Sequence, residues 1–201
     1  MIDMMGLFFA CVASYLVGSI PSGLILGKGI WNIDLREHGS HNIGATNAWR
    51  TIGKQAGILI FLCDLLKGVF GVWVGGALFG TPLALVLGGV FAIVGHSWSF
   101  FLGFKGGKGV ATGLGVILSL MPTPALLIFA IWFVIVKITG YVSLGSIVGA
   151  ALVPVFAWLF GEPRETIGFG CLAAFFVIYR HKENIQRLLT GTESKIKAAK
   201  R

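Results

Sequence analysis

The chain has 201 residues, 56% of them hydrophobic and 12% charged, with 30 glycines and a formal net charge of +8. A soluble core of this size cannot hide that much apolar surface, so the composition excludes an ordinary water-soluble globule and specifies an all-α polytopic membrane protein. The chain reads as one integral membrane domain over residues 1–201, with polar loops at about 28–55, 100–112 and 179–201.

The first apolar run predicts a helix from about Met5 to Gly27. Asp3 precedes it instead of a basic region, and no small-residue cleavage site is evident, so it reads as a retained transmembrane helix and not a signal peptide. Ser19, Pro21, Ser22 and Gly23 would loosen its last turns or admit another segment. Residues 28–55 form the longest polar stretch, too rich in glycine and asparagine for a simple helix. A second helix is predicted over Ala56–Phe79 and a third over Leu83–Leu102, after Thr81-Pro82. The glycine-dense run FFLGFKGGKGVATGLG follows, from Phe100 to Gly115.

From Val110 to Arg180 the chain is interrupted at 121–124, at 137–142 and at 161–163. The interruptions leave segments of about 12, 14, 18 and 15 residues, the first two shorter than the roughly 20 that a straight span needs. If all four cross, the protein has seven transmembrane helices, some short, with the N-terminus outside and the C-terminus cytoplasmic. If the Pro122–Pro124 break is re-entrant, the first two form a hairpin dipping into the bilayer, and the later segments keep their sides.

The basic residues are grouped. Lys28, Arg36, Arg50 and Lys54 lie in the first polar stretch, Lys105 and Lys108 in the glycine loop, and Lys137 at a later break. Arg180, Lys182, Arg187, Lys195, Lys197, Lys200 and Arg201 lie at the C-terminal end, which makes fourteen of the sixteen Lys and Arg. The intervening links carry only Arg164, so the positive-inside rule predicts that the basic loops are cytoplasmic. Cys11, Cys63 and Cys171 stand singly in apolar segments and read as small core residues. Gly71, Gly75, Gly76, Gly88, Gly89, Gly145 and Gly149 fall at small-xxx-small spacings suited to close helix packing.

Two ammonium heads among glycines, Lys105 and Lys108, can neutralise a phosphate with the help of bare backbone N–H groups, or can simply fix topology. The run is not a P-loop, since Leu102 stands where its first glycine belongs and Gly109 where a Ser or Thr should hold magnesium. In the first polar stretch Ser40, His41, Asn42, Gly44, Thr46, Asn47 and Arg50 offer neutral donors around one cation, either as a phosphate-binding loop or as an ordinary solvated one. At the C-terminal end Arg180, Asn184 and Arg187 share a face if the helix continues. His181 could accept a proton, donate to a phosphate, or sit at the interface without chemistry. Asp64 and Lys67 lie three apart inside the second helix, as a structural ion pair or a brace for the site.

No histidine is followed by Asp five residues on, and there is neither a G-x-S-x-G elbow nor a His, Cys and carboxylate cluster with metal-ligand spacing. A reaction here would need an already activated substrate, and neither metal nor cofactor is expected.

The combination of HGSHNIGATNAWR, the run GHSWSFFLGFKGGKGVATGLG and YRHKENIQRLLTGTESK resembles the three cytoplasmic motifs of the bacterial acyl-phosphate:glycerol-3-phosphate acyltransferases, the PlsY family. The resemblance covers essentially the whole chain. It implies seven helices in the bacterial cytoplasmic membrane, an active site facing the cytoplasm, and transfer of an acyl chain from acyl phosphate to the 1-hydroxyl of glycerol 3-phosphate. Lysophosphatidic acid and phosphate would be the products. One departure is His41, where the family usually has glycine.

On this resemblance, Ser40, Asn42, Gly44, Thr46 and Asn47 would hold the acyl-phosphate group, with Gly106 and Gly107 adding backbone. Arg50, Lys105 and Lys108 would neutralise the phosphates and the developing oxyanion. His181 and Asn184, with Ser143 or Ser146 and Arg180, would orient glycerol 3-phosphate. The expected partners are the two substrates and membrane lipid, without nucleic acid, and the oligomeric state is open. A transporter for an organic phosphate or a non-catalytic membrane subunit would also use basic loops. The transporter would want more intramembrane polar residues than Asp64 and Lys67, and the subunit leaves the Asn, Thr and Gly pattern unexplained.

Overall fold

A computed structural model describes residues 4–196; Asp3 and the basic residues Lys197, Lys200 and Arg201, which entered the charge pattern above, lie outside them. Among the described residues the structure is helical without strands, in the order α1 (Met4–Ser19), α2 (Ser22–Trp31), α3 (Ala45–Thr51), α4 (Lys54–Phe79), α5 (Pro82–Ser97), a 3-10 turn (Phe100–Leu102), α6 (Val110–Leu120), α7 (Pro122–Thr139), α8 (Val142–Leu159), α9 (Arg164–Arg180) and α10 (Lys182–Leu189). Among the described residues five stretches are long and apolar enough to cross a membrane, 4–31, 54–79, 82–102, 122–139 and 142–159, and α6 is a shorter apolar helix. Large apolar side chains such as Leu62, Leu66, Trp73 and Phe175 face outward, which suits lipid and would be a liability in water.

The described residues fall into two compact units, the first running to Val116 and the second from Ile117 to Ile196. In the first, α1, α4 and α5 pack against one another, and α2 and α3 lie on α4. Thr81 starts α5 by accepting a hydrogen bond from the Ala84 N–H at 3.3 Å, with Pro82 as the first helical residue, where a missing N–H costs nothing. The crossing of α4 and α5 depends on Gly71 and Gly88: a Cβ on Gly88 would run into the carbonyl of Gly71. The small-residue spacing therefore lets two backbones touch, as expected for membrane helices.

Several details differ from the sequence expectation, among them the end of α5 at Ser97 where the sequence predicts a helix to Leu102. The first run is not one helix to Gly27; α1 ends at Ser19 and α2 begins after Pro21, because proline supplies no N–H to continue the ladder. The polar stretch contains a seven-residue helix, α3. Its Ala48 is fully buried with Leu35, Ala56 and Ile60, and Ala45 and Ile52 pack on that cluster, so burial against α4 overrides the local preference of the sequence. The segment after Met121 is an 18-residue helix that carries Lys137 in its last turn and stops at Gly140, a left-handed cap.

In the second unit α7 packs on α8 and α8 on α9, with α10 against both α8 and α9. Pro154 lies inside α8, and Gly170 of α9 leaves room for its backbone. Helix α9 does not continue past Arg180. His181 closes α9 and opens α10 with a non-helical ψ of 11°, so Arg180 and the pair Asn184 and Arg187 are not in one helical register.

Candidate active site

The first polar stretch is organised from inside by Asn47, which is 2% exposed. Its amide nitrogen faces the carbonyls of Leu35, His38 and Asn42 at 3.0, 3.0 and 2.8 Å, and its oxygen accepts from the Ser40 N–H at 3.0 Å. The Asn42 side-chain oxygen accepts from the Gly44 N–H at 2.8 Å. These groups shape the loop: the amide of Asn47 and the N–H of Gly44 are engaged within it. Ser40 is exposed, while Thr46 and Arg50, both half-buried, stand four residues apart on α3 and therefore share a face.

Asp34 anchors the cations beside this loop. Its carboxylate pairs with Arg36 at 2.7 Å and with Lys28 at 3.0 Å. The hydrogen bond from Arg36, opposed by burial, holds its carboxyl well below the usual carboxylate range. His41 adopts a left-handed φ of 56°, a cost for a residue with a Cβ, offset in part by an Nδ1 contact with the Arg36 carbonyl at 2.9 Å. His41→Gly should relieve that cost and raise thermal stability by roughly 0.5 kcal/mol after the entropy of glycine in the unfolded chain is counted. A lower melting temperature for the variant would contradict this account of the turn.

A cleft of about 430 Å³ opens between this loop and the glycine loop, lined by Arg36, Glu37, His41, Ile43, Leu102, Lys105 and Gly106. The glycine loop rests on His96, a buried residue that the sequence did not single out. The Gly107 N–H donates to the His96 carbonyl at 3.1 Å. A Cβ at Gly106 would meet that carbonyl, and one at Gly107 would meet the imidazole Nε2. Gly107 thus serves close approach, with its N–H engaged by the protein, whereas the sequence suggested bare donors. Beneath, His96 Nδ1 lies 3.7 Å from Asp64, which pairs with Lys67 at 2.7 Å. Lys67 also donates to the carbonyl of Ile20, at the break between α1 and α2. The intramembrane pair is therefore both a structural ion pair and a support for the loop. Gly107→Ala should push the loop off His96, moving Lys108 and cutting turnover by roughly tenfold or more, with an overpacking cost of about 1–3 kcal/mol in stability. Unchanged turnover would show that the fit is unimportant.

In the second unit the polar hub is Glu193, also missed from the sequence. Its Oε1 accepts from Ser143 Oγ and Asn184 Nδ2, both at 2.7 Å, and its Oε2 pairs with Arg187 Nε at 2.7 Å. Burial pushes the carboxyl up, but the hydrogen bonds from Arg187, Ser143 and Asn184 together hold it below its ordinary value. The chain beyond is tied to the turn between α7 and α8 by the Ile196 N–H on the Gly140 carbonyl at 2.7 Å, with Lys195 over the Tyr141 ring. Ser146 donates to the Val142 carbonyl one turn back. His181 is buried, with Nδ1 2.7 Å from the Val177 carbonyl. A carbonyl can only accept, so Nδ1 carries the hydrogen and Nε2 of the neutral ring carries the lone pair. Arg180 is half-buried at the end of α9.

The structure thus gathers Ser143, Asn184 and His181 at the ends of α8, α9 and α10, and sets Lys105 and Gly106 beside the loop of Ser40 to Asn47. Glu193 had a signal, as one of eight carboxylates in a run otherwise rich in cations. His96 had little, since its partners Asp64 and Gly107 are distant in sequence.

Together these features define an integral membrane protein with polar, cation-bearing loops at the ends of apolar helices. The family model for glycerol-3-phosphate acyltransferases matches residues 8–191, and the chain belongs to that family. It is 46% identical to a glycerol-3-phosphate acyltransferase of Desulforamulus reducens over 92% of each chain. It is 42% identical to one of Fusobacterium nucleatum over 96% of this chain and all of that one. Among solved structures it is similar to the integral membrane glycerol 3-phosphate acyltransferase PlsY in its glycerol 3-phosphate form, with a TM-score of 0.90 and 39% identity over 95% of this chain and 96% of that one. The lysophosphatidic acid form of PlsY matches with a TM-score of 0.87 and 38% identity over 94% of each.

Proposed function

We propose that this protein acylates the 1-hydroxyl of glycerol 3-phosphate with an acyl group taken from acyl phosphate, giving lysophosphatidic acid and inorganic phosphate as the first acylation of phospholipid synthesis. The observation that carries this reading is the cleft in which Arg36 and Lys105 stand beside Ile43 and Leu102. A cationic wall next to an apolar one suits an anionic head joined to a hydrocarbon chain. In this reading the chain crosses the bacterial cytoplasmic membrane seven times, by α1 with α2 and then by α4 to α9. The N-terminus is outside, the C-terminus and the basic loops are cytoplasmic, and both units serve one membrane domain.

Acyl phosphate is a mixed anhydride, so its carbonyl is activated without an enzyme nucleophile. The glycerol oxygen forms a bond to the carbonyl carbon, the oxyanion collapses, and the bond from that carbon to the phosphate oxygen breaks, phosphate leaving with the electron pair. Arg50 and Lys108 neutralise the developing oxyanion, and together with Lys105 they neutralise the phosphates. Ser40, Asn42, Gly44, Thr46 and Asn47 shape or line the acyl-phosphate loop, and Gly106 and Gly107 seat the lysines. Ser143, His181 and Asn184, with Arg180 and Ser146 nearby in sequence, orient glycerol 3-phosphate.

The hydroxyl proton passes either to His181 Nε2 or to the leaving phosphate. The bond from Nδ1 to Val177 supports the histidine, because it holds the tautomer a base requires. His181→Ala should then lose an ionisation near neutrality from the pH dependence of kcat. An unchanged profile with a raised KM for glycerol 3-phosphate would assign the proton to the phosphate. The donor is tested by supplying palmitoyl phosphate, palmitoyl-CoA or palmitoyl-acyl carrier protein with glycerol 3-phosphate. Lysophosphatidic acid should form with the first alone, and equal rates with the thioesters would refute the donor assignment.

A further inference from the structure

Between α5 and the lysines the chain forms a tight knuckle whose three phenylalanines are exposed, while Leu102 lines the cleft. Phe100, Phe101 and Phe104 are 58%, 55% and 60% exposed. Phe104 has a φ of 61°, directly after Gly103 at 59°, a backbone state that is an outlier for a bulky residue. Of the other non-glycine residues with positive φ, Asn32 is a residue type that tolerates it and His41 makes a side-chain bond to Arg36. The ring of Phe104 lies T-shaped to that of Phe100, with centroids 6.4 Å apart, and Phe100 and Phe101 are likewise T-shaped at 5.6 Å.

The knuckle is nevertheless held firmly. The Phe104 and Leu102 N–H groups donate to the Ser99 carbonyl at 2.8 and 3.1 Å. The buried Ser99 hydroxyl donates to the Ser19 carbonyl, and Ser19 Oγ accepts from the Phe100 N–H at 3.4 Å. A strained, rigid and outward-facing phenyl gains almost nothing from its own chain, so its benefit lies in something outside the protein. Phe104 is followed by Lys105, and Leu102, Lys105 and Gly106 line the cleft. An amphiphile with its phosphate against Lys105 and Arg36 would leave the cleft at this knuckle.

We propose that Phe104, with Phe100 and Phe101, forms a lip that holds the first carbons of the acyl chain of an acyl phosphate as it enters the cleft, so that the lip favours long-chain over short-chain donors. The inference rests on the acyl-phosphate reading above. Its occupant is the substrate chain, and simple anchoring of the loop in bulk lipid is the alternative that the test separates.

The test measures binding of hexadecyl phosphate and of butyl phosphate to the full-length protein in nanodiscs, for the wild type, Phe104→Gly and Phe104→Leu. Glycine accepts the left-handed backbone, so Phe104→Gly keeps the knuckle and removes only the ring. The expected result is about tenfold weaker binding of hexadecyl phosphate to Phe104→Gly, unchanged binding of butyl phosphate, and partial recovery with Phe104→Leu. Equal weakening of both ligands would mean that the ring acts through Lys105 or the bilayer, and no weakening would mean that it touches neither; either result overturns the lip. Chain-length-dependent binding without acyl transfer by the wild type would instead refute the acyltransferase reading and leave the lip standing.

Discussion

Lys108→Ala is expected to lower turnover by at least about a hundredfold, as the loss of one preorganised donor to a developing oxyanion does. The lysine is half-buried and follows Gly107, whose N–H and Cα are fixed on His96. Its backbone therefore starts from a defined place, and its charge is partly withdrawn from water, where electrostatic effects are larger. The loss should appear in kcat more than in KM, because the oxyanion exists only after attack begins. Lys105, exposed at the cleft, should behave differently: Lys105→Ala should raise the KM for acyl phosphate and spare kcat. Near-normal turnover of Lys108→Ala would remove it from the transition state.

Glu193→Ala is expected to cost roughly 3 kcal/mol or more of stability, since a buried carboxylate that accepts from three side chains is removed and Ser143 and Asn184 lose a common acceptor. Arg187 is 40% exposed at its side chain, so water can solvate it and its share of the loss is small. The carboxyl is lower in the folded protein than in the unfolded chain. Its contribution is then fully present above the unfolded carboxylate pKa of about 4.3 and is lost as the pH falls through the lowered folded value. Thermal unfolding at pH 7 and at pH 3 should show a large wild-type decrease that is smaller in Glu193→Gln. An equal decrease in both proteins would place the acid sensitivity elsewhere, with Asp34, also lowered by its pairing, the next group to replace.

The apolar spans were legible because lipid demands long uninterrupted runs, and Thr81-Pro82 and Pro122 mark helix starts by local chemistry. Helix α3 was not legible, since it forms where Ala48 is buried against Ala56 and Ile60, a tertiary cause. The loop residues Asn42 and Asn47 were found, but an amide that shapes a loop and one that meets a ligand look alike in sequence. Only the bonds of Asn47 to Leu35, His38 and Ser40 distinguish them. Glu193 and Ser143 are 50 residues apart, and the link of His96 to Asp64 spans two helices, so neither leaves a spacing to read. His41 was visible as a departure from the family, and its positive φ explains why glycine suits that turn.

The most direct test is phosphate release by the purified protein in detergent or lipidic mesophase, given palmitoyl phosphate and glycerol 3-phosphate singly and together. Release only when both are present, without added metal or acyl-CoA, is the predicted result. No release from folded protein given both substrates would contradict the acyltransferase account and direct attention to phosphate transport in liposomes.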